Sequence, residues 1–240
     1  MEDWQMLKPL INFDYWGFPI YMIMGIAGIM AAILYITDVQ DGMRCTAAIK
    51  TKINRSFAIA FAAGMLCSNI ANWFLFPEIL NYSLGQRLTD GGFSFYYGLC
   101  GFFVVAAILL KTSNVDHKFW INQFIPSVLI FHAFGRVGCS LSGCCYGKEI
   151  SLLGIHFAFP ARETEAIALF IMFFIFRKKI KEHRLFWYLV YYSLLRFLLE
   201  FGRADDRGIM LVDWLSPAQI TSILIWVGLV FYRKRLIMKR

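Results

Sequence analysis

The sequence predicts an all-α, polytopic integral membrane protein of about seven transmembrane helices, with its N-terminus outside and its C-terminus in the cytoplasm. Three observations carry that expectation. Apolar residues fill 59% of the 240 positions and aromatic residues 18%, and the mean hydropathy is +0.57, above what a water-soluble domain of this size carries. The apolar residues gather into runs, most of them near the roughly 20 residues that cross a bilayer. The formal charge of +8 sits in short basic segments between those runs, the positive-inside pattern of a membrane protein rather than a nucleic-acid-binding face. A membrane is thus the expected environment, nucleic acid is not an expected partner, and residues 1–240 are expected to form a single transmembrane domain.

In chain order, residues 1–17 are polar with aromatics, and Trp4, Tyr15 and Trp16 suit an interfacial belt. Before the first apolar run Lys8 stands alone beside Glu2 and Asp3. No cleaved signal peptide is expected, and the run stays in the protein. Spans are expected at 18–37, 56–76, 93–110, 119–137, 165–176, 186–201 and 213–232. The fifth is short, so it is expected to begin nearer Phe157 or to lie tilted.

Orientation follows from the loops. Arg44, Lys50, Lys52 and Arg55 follow the first run, and Lys111 and Lys118 follow the third. Arg177, Lys178, Lys179, Lys181 and Arg184 follow the fifth, and Arg233, Lys234, Arg235, Lys239 and Arg240 form the tail. These are sixteen of the 24 Lys and Arg residues, and they mark the cytoplasmic side.

Four segments of the opposite face carry polar groups. His132 to Gly147, HAFGRVGCSLSGCCYG, closes the fourth run with an Arg, a His, three Cys and four Gly. An ionisable side chain at a membrane helix end is a functional-site candidate by default. Arg196, Glu200 and Arg203 are spaced i, i+4, i+7 and share one helix face. Read alone they are either a buried ion pair joining helices or an anion site, because Arg forks bind phosphate bidentately. Glu200 is the one carboxylate expected among the three arginines Arg136, Arg196 and Arg203. Asp90 to Gly101, DGGFSFYYGLCG, enters the third run with four Gly and two Tyr, which small-residue helix packing also explains. Asn69 and Asn72 in the second run are read as interhelical hydrogen-bonding groups.

Taken together, these segments resemble the prolipoprotein diacylglyceryl transferase family. The family pattern G-R-x-G-N-F-x-N-G-E-x-x-G is similar to Gly135-Arg136-Val137-Gly138 with Gly143, Tyr146 and Gly147. Its glycine-rich G-G-x-x-F-H/Y-G-G-L-x-G resembles Gly91 to Gly101, with Tyr96 where many members carry histidine. Pro160 and Glu165 match the ends of P-S-Q-L-Y-E. Arg196-Phe197, Glu200-Phe201, Arg203 and Asp206 or Asp205 match R-F-x-x-E-F-x-R-x-x-D, and Tyr15-Trp16-Gly17 faintly matches W-Y-G.

The resemblance implies transfer of a diacylglyceryl group from phosphatidylglycerol to the cysteine thiol of a prolipoprotein signal peptide. The reaction would take place at the outer face of the bacterial cytoplasmic (inner) membrane and needs no cofactor. It implies Arg136, Arg196 and Tyr96 as catalytic residues. Arg203, Glu200, Gly138, Gly147, Cys139 and Cys144 are implied to bind substrate.

The departures fall on the signature itself, where Cys139, Ser142 and Cys144 replace Asn, Asn and Glu, with Cys145 adjacent. A thiol there can be a nucleophile favoured by nearby arginine, half of a disulfide, a zinc ligand with His132 or His156, or packing. With no CxxC spacing, and with Cys144 and Cys145 adjacent, no metal is expected. Cys45, Cys67 and Cys100 stand isolated and do not suggest a disulfide framework. Three other functions stay open: another acceptor, phospholipid binding or transport without catalysis, and membrane thiol redox chemistry.

Overall fold

A computed structural model describes residues 20–90, 92–143, 147–152, 155–204 and 215–237. The order is α1 (Ile20–Gly42), α2 (Ala47–Leu75), a 3₁₀ turn (Pro77–Asn81), α3 (Leu84–Asp90), α4 (Phe95–Thr112) and α5 (His117–Leu141). An antiparallel hairpin of β1 (Glu149–Leu152) and β2 (Ile155–Ala158) follows, then α6 (Ala161–Lys178), α7 (Arg184–Glu200) and α8 (Pro217–Ile237). Among the described residues the regular structure is helical apart from that hairpin, in which Glu149 pairs with Ala158 and Leu152 with Ile155. Among the described residues four helices, α1, α2, α4 and α5, are long and apolar enough to cross a membrane. Their outward faces carry large apolar side chains such as Leu34, Phe74 and Ile108, as lipid contact requires.

The long helices follow the order of the expected apolar runs, but several extend past them. Lys50, Lys52 and Arg55, expected in a loop, belong to the first turns of α2. A helix satisfies its backbone internally wherever it leaves the hydrocarbon, so nothing ends it at the bilayer edge. Asp41 near the end of α1 pairs with Lys50 of α2. The expected early start of the fifth run near Phe157 is corrected: Phe157 is paired in β2, and α6 starts at Ala161 behind Pro160. Proline supplies no N–H and suits the residue that begins a helix.

The chain divides into two compact units, Val39–Gln123 with Arg207–Thr221, and Met1–Asp38 with Phe124–Asp206 and Ser222–Arg240. In the first, α2 and α4 pack through small residues. A Cβ on Gly64 would lie 2.8 Å from the Gly98 carbonyl oxygen, and one on Gly101 would lie 2.7 Å from Cys67 Sγ. The glycines of the Asp90–Gly101 segment that are described in this contact therefore serve close helix approach. Asn69 is buried and donates its amide to the carbonyls of Arg87 (3.1 Å) and Gly92 (3.2 Å). It ties α2 to α3 and to the segment before α4, the interhelical role expected from the sequence.

In the second unit α1, α5, α6, α7 and α8 contribute to the core. Ser127 Oγ donates to the Ala32 carbonyl at 3.1 Å, next to Pro126 inside α5. Gly28 brings α1 against α5, since its Cβ would meet Phe134 Cβ at 3.0 Å. Trp226 of α8 donates its indole N–H to Ser193 Oγ of α7 at 2.8 Å.

Candidate functional site

α5 places His132, Arg136 and Ser140 at i, i+4 and i+8, so all three share one face. His132 is 4% exposed and Arg136 9%. A guanidinium buried this deeply needs an anionic partner, because desolvation otherwise costs several kcal/mol. The partner comes from α6. Glu165 is fully buried, and its Oε2 lies 3.0 Å from Arg136 Nε. Its Oε1 accepts from the Tyr192 hydroxyl at 3.1 Å and lies 3.7 Å from His132 Nε2. One carboxylate thus binds α5, α6 and α7 at a single point.

α7 supplies the other half. Tyr188 and Tyr192 are one turn apart, both buried, with rings stacked at 5.6 Å and 4°. Tyr192 also presents its ring to His132 edge-on, at 5.0 Å and 72°. One turn further along, Arg196 Nη1 pairs with Glu200 Oε2 at 2.9 Å, both buried. This is the i, i+4 contact expected from the sequence. The expectation of a single carboxylate among the arginines is corrected, because Glu165 is a second. Arg136, Arg196 and Arg203 stand with Glu165 and Glu200, leaving one positive charge in excess.

Arg203 is set by the hairpin. α7 ends with Arg203 N–H donating to the Glu200 carbonyl at 3.3 Å, and Arg203 then bridges Gly147 in antiparallel fashion. Lys148 N–H donates to the Gly202 carbonyl and Phe159 N–H to the Lys148 carbonyl, each at 2.8 Å. Neither Gly147 nor Gly202 has room for a side chain: a Cβ on Gly147 would run into the Phe159 carbonyl oxygen, and one on Gly202 into the Phe159 ring. The glycines let three backbone segments meet, and the buried Arg203 sits at the junction.

Beside the buried cluster lies a second, half-buried one. Ser140 Oγ donates to Glu163 Oε1 at 2.6 Å, and Arg162 Nε donates to the same oxygen at 2.8 Å. Glu163 is in the first turn of α6, where a carboxylate also interacts favourably with the helix dipole.

Of the residues singled out in the sequence, Arg136, Arg196, Glu200, Arg203 and Gly147 all lie in the second unit around this cluster. Gly138 packs on α1, where its Cβ would lie 3.0 Å from Tyr21 Cδ2. Cys139 is buried one residue further along α5. Tyr96 is half-buried in the first turn of α4, in the other unit. Cys144, Cys145, Tyr146, Gly91, Asp205, Asp206 and the Tyr15-Trp16-Gly17 stretch lie outside the described residues.

Sequence reasoning missed Tyr192, the Ser140–Glu163–Arg162 cluster and the central place of Glu165. For Glu165 a signal existed, an acidic residue retained at the head of an apolar run. His132, weighed as a metal ligand, faces Glu165 and Tyr192. Among the described residues, no group of three or more His, Cys, Asp or Glu is placed to hold a metal ion.

Residues 10–233 match the family described as prolipoprotein diacylglyceryl transferase. Curated relatives carry the name phosphatidylglycerol–prolipoprotein diacylglyceryl transferase. One from Clostridium perfringens is 36% identical over 167 residues, 61% of this chain and 63% of the relative. One from Clostridium tetani is 33% identical over 164 residues, again 61% of this chain and 63% of the relative. One from Dehalococcoides mccartyi is 24% identical over 241 residues, 90% of this chain and 89% of the relative. The chain thus spans 63% of the length of the two clostridial relatives in those matches.

Proposed function

We propose that this chain, which belongs to the prolipoprotein diacylglyceryl transferase family, moves a diacylglyceryl group from phosphatidylglycerol to the lipobox cysteine thiol of a prolipoprotein. The observation that carries the reading is the buried cluster of three arginines and two glutamates, one positive charge in excess, at the end of apolar helices. A phosphodiester headgroup brings the single negative charge that balances it. Arg136 meets Glu165 through Nε, and a guanidinium also carries two Nη groups whose fork matches phosphate oxygens.

In the reaction the thiol sulfur attacks the glyceryl carbon, the carbon–oxygen bond to phosphate breaks, and glycerol phosphate leaves. Negative charge grows on the departing phosphate, and fixed guanidinium donors stabilise it there more than in the bound lipid. Arg136 and Arg196 take that role, and Arg203 and Glu200 keep Arg196 in place. The resemblance adds Tyr96 as a third catalytic residue, and Gly138, Gly147, Cys139 and Cys144 complete the reading as residues that bind substrate.

The same proposal includes one transmembrane domain over 1–240, seven spans, an outer N-terminus and a cytoplasmic C-terminus, in the cytoplasmic membrane of a bacterium. Its support is the clustering of sixteen basic residues on alternate connections and helix ends. The test is incubation of the purified protein with labelled phosphatidylglycerol and a lipobox peptide. Lipidated peptide and released glycerol phosphate are expected in equal amounts. Lipid bound without release would instead identify a phospholipid-binding protein.

A further inference from the structure

We propose that Ser140 and Glu163 form a subsite for the two vicinal hydroxyls of the phosphatidylglycerol headgroup, so that this end of α5 and α6 selects the glycerol-bearing lipid. The inference rests on the transferase reading and deepens it. Three observations lead to it.

The first is the order of polar groups along two helices. α5 and α6 are joined by two rungs, Arg136 with Glu165 and Ser140 with Glu163. Ser140 lies one turn beyond Arg136 on the same face of α5, and Glu163 stands two residues before Glu165 on α6. The first rung is buried, whereas the Glu163 side chain is 38% exposed. In the proposed topology α5 runs outward and α6 inward. The order toward the outer face is then apolar helix, buried arginine, and half-exposed hydroxyl with carboxylate. A phospholipid of the outer leaflet presents acyl chains, phosphate and headgroup alcohol in that same order. One helical turn rises about 5.4 Å, a span that the three carbons of a phosphoglycerol group cover.

The second is the match of acceptors to ligand. Ser140 Oγ at 2.6 Å and Arg162 Nε at 2.8 Å both donate to Glu163 Oε1. Among the described residues no hydrogen bond falls on Glu163 Oε2, so that oxygen is open to a donor. Ser140 gives its proton to Glu163 and keeps the lone pairs of its oxygen. One headgroup hydroxyl can donate to Oε2 and its neighbour to Ser140 Oγ. Arg162 offsets the Glu163 charge, so the subsite suits a neutral diol and opposes the ammonium of an ethanolamine headgroup.

The third is where these residues fall in the chain. The family pattern carries Phe at the position of Ser140, Leu at that of Glu163 and Glu at that of Cys144. The chain thus has a thiol where the pattern has its carboxylate, and a carboxylate where the pattern has leucine. A rung that only joined two helices would serve as well with an apolar pair.

The experiment compares kcat/KM for phosphatidylglycerol and for phosphatidylpropanol, whose headgroup has three carbons and no hydroxyl. Each lipid is presented in vesicles with a lipobox peptide to wild type, Glu163→Ala and Ser140→Ala. Wild type is expected to prefer phosphatidylglycerol about 10–100-fold, because a site that hydrogen-bonds a substrate hydroxyl rejects the analogue lacking it. Glu163→Ala is expected to bring that preference to within about threefold of unity, and Ser140→Ala to reduce it about 2–10-fold.

A wild type that uses both lipids equally overturns the inference. So does a Glu163→Ala variant that slows both lipids by the same factor, the mark of a rung that only joins helices. If Glu163→Ala does not accumulate, Glu163→Leu is the second variant and is judged by the same ratio. A wild type that transfers nothing from either lipid overturns the transferase reading and this inference together. An active wild type whose preference survives in Glu163→Ala overturns the inference alone.

Discussion

Glu165 on α6 holds Arg136 on α5 through the guanidinium Nε, at 3.0 Å from Oε2, so the ion pair uses one edge of a group that has others to offer a ligand. A lysine at 136 has one nitrogen for both tasks. Arg136→Lys and Arg196→Lys are each expected to lower turnover of phosphatidylglycerol about 10²–10³-fold, while membrane abundance stays within about twofold of wild type. Planar bidentate geometry is lost even though charge is kept. Near-normal turnover in both variants would show that the arginines join helices and do not grip phosphate.

Glu165 is the junction of three helices, and its removal should be felt first as instability. Glu165→Gln leaves a buried guanidinium without its counter-charge, a loss of about 3–5 kcal/mol for a broken buried pair. Strongly reduced membrane abundance is expected on immunoblots. Tyr192→Phe removes one hydrogen bond from the same carboxylate and is expected to cost about 1–3 kcal/mol. If Glu165→Gln accumulates and melts like wild type, the carboxylate does not hold the cluster together.

How far this site could be read from the sequence depends on the distance between partners. Helices α1, α2, α4 and α5 were legible because each contains an apolar run, and Arg196 with Glu200 was legible because one helical turn separates them. The partners of Glu165 were not, since a lone glutamate near a helix start has none in its own neighbourhood. Its contacts come from α5 and α7, and chain pattern does not report on packing between elements. The hairpin was hidden for another reason: strands of four residues are too short to display an alternating pattern beside longer apolar runs.

The junction of hairpin and α7 makes a separate prediction, with a built-in control. Gly147→Ala and Gly202→Ala each put a methyl group into Phe159, whereas a Cβ on Gly228 of α8 meets nothing within 4 Å. The first two should displace Arg203 and lower turnover about tenfold or more, an overpacking effect of about 1–3 kcal/mol. Gly228→Ala should be silent in a thermal-shift and turnover comparison. Equal behaviour of all three would mean that the junction does not set Arg203.

The topology can be checked independently of activity. A reporter fused after Arg240 is expected to be cytoplasmic, and one inserted at Gly208 is expected on the outer side. Both reporters on one side would remove the seven-span arrangement.

The position of Arg136 in the chain also constrains biogenesis. α5 leaves the ribosome before α6 and α7, so this guanidinium reaches the bilayer ahead of Glu165. An arginine presented to lipid without its carboxylate raises the cost of integration. The Arg136–Glu165 pair predicts that neighbouring helices enter together, and a truncation before Ala161 should leave α5 poorly integrated.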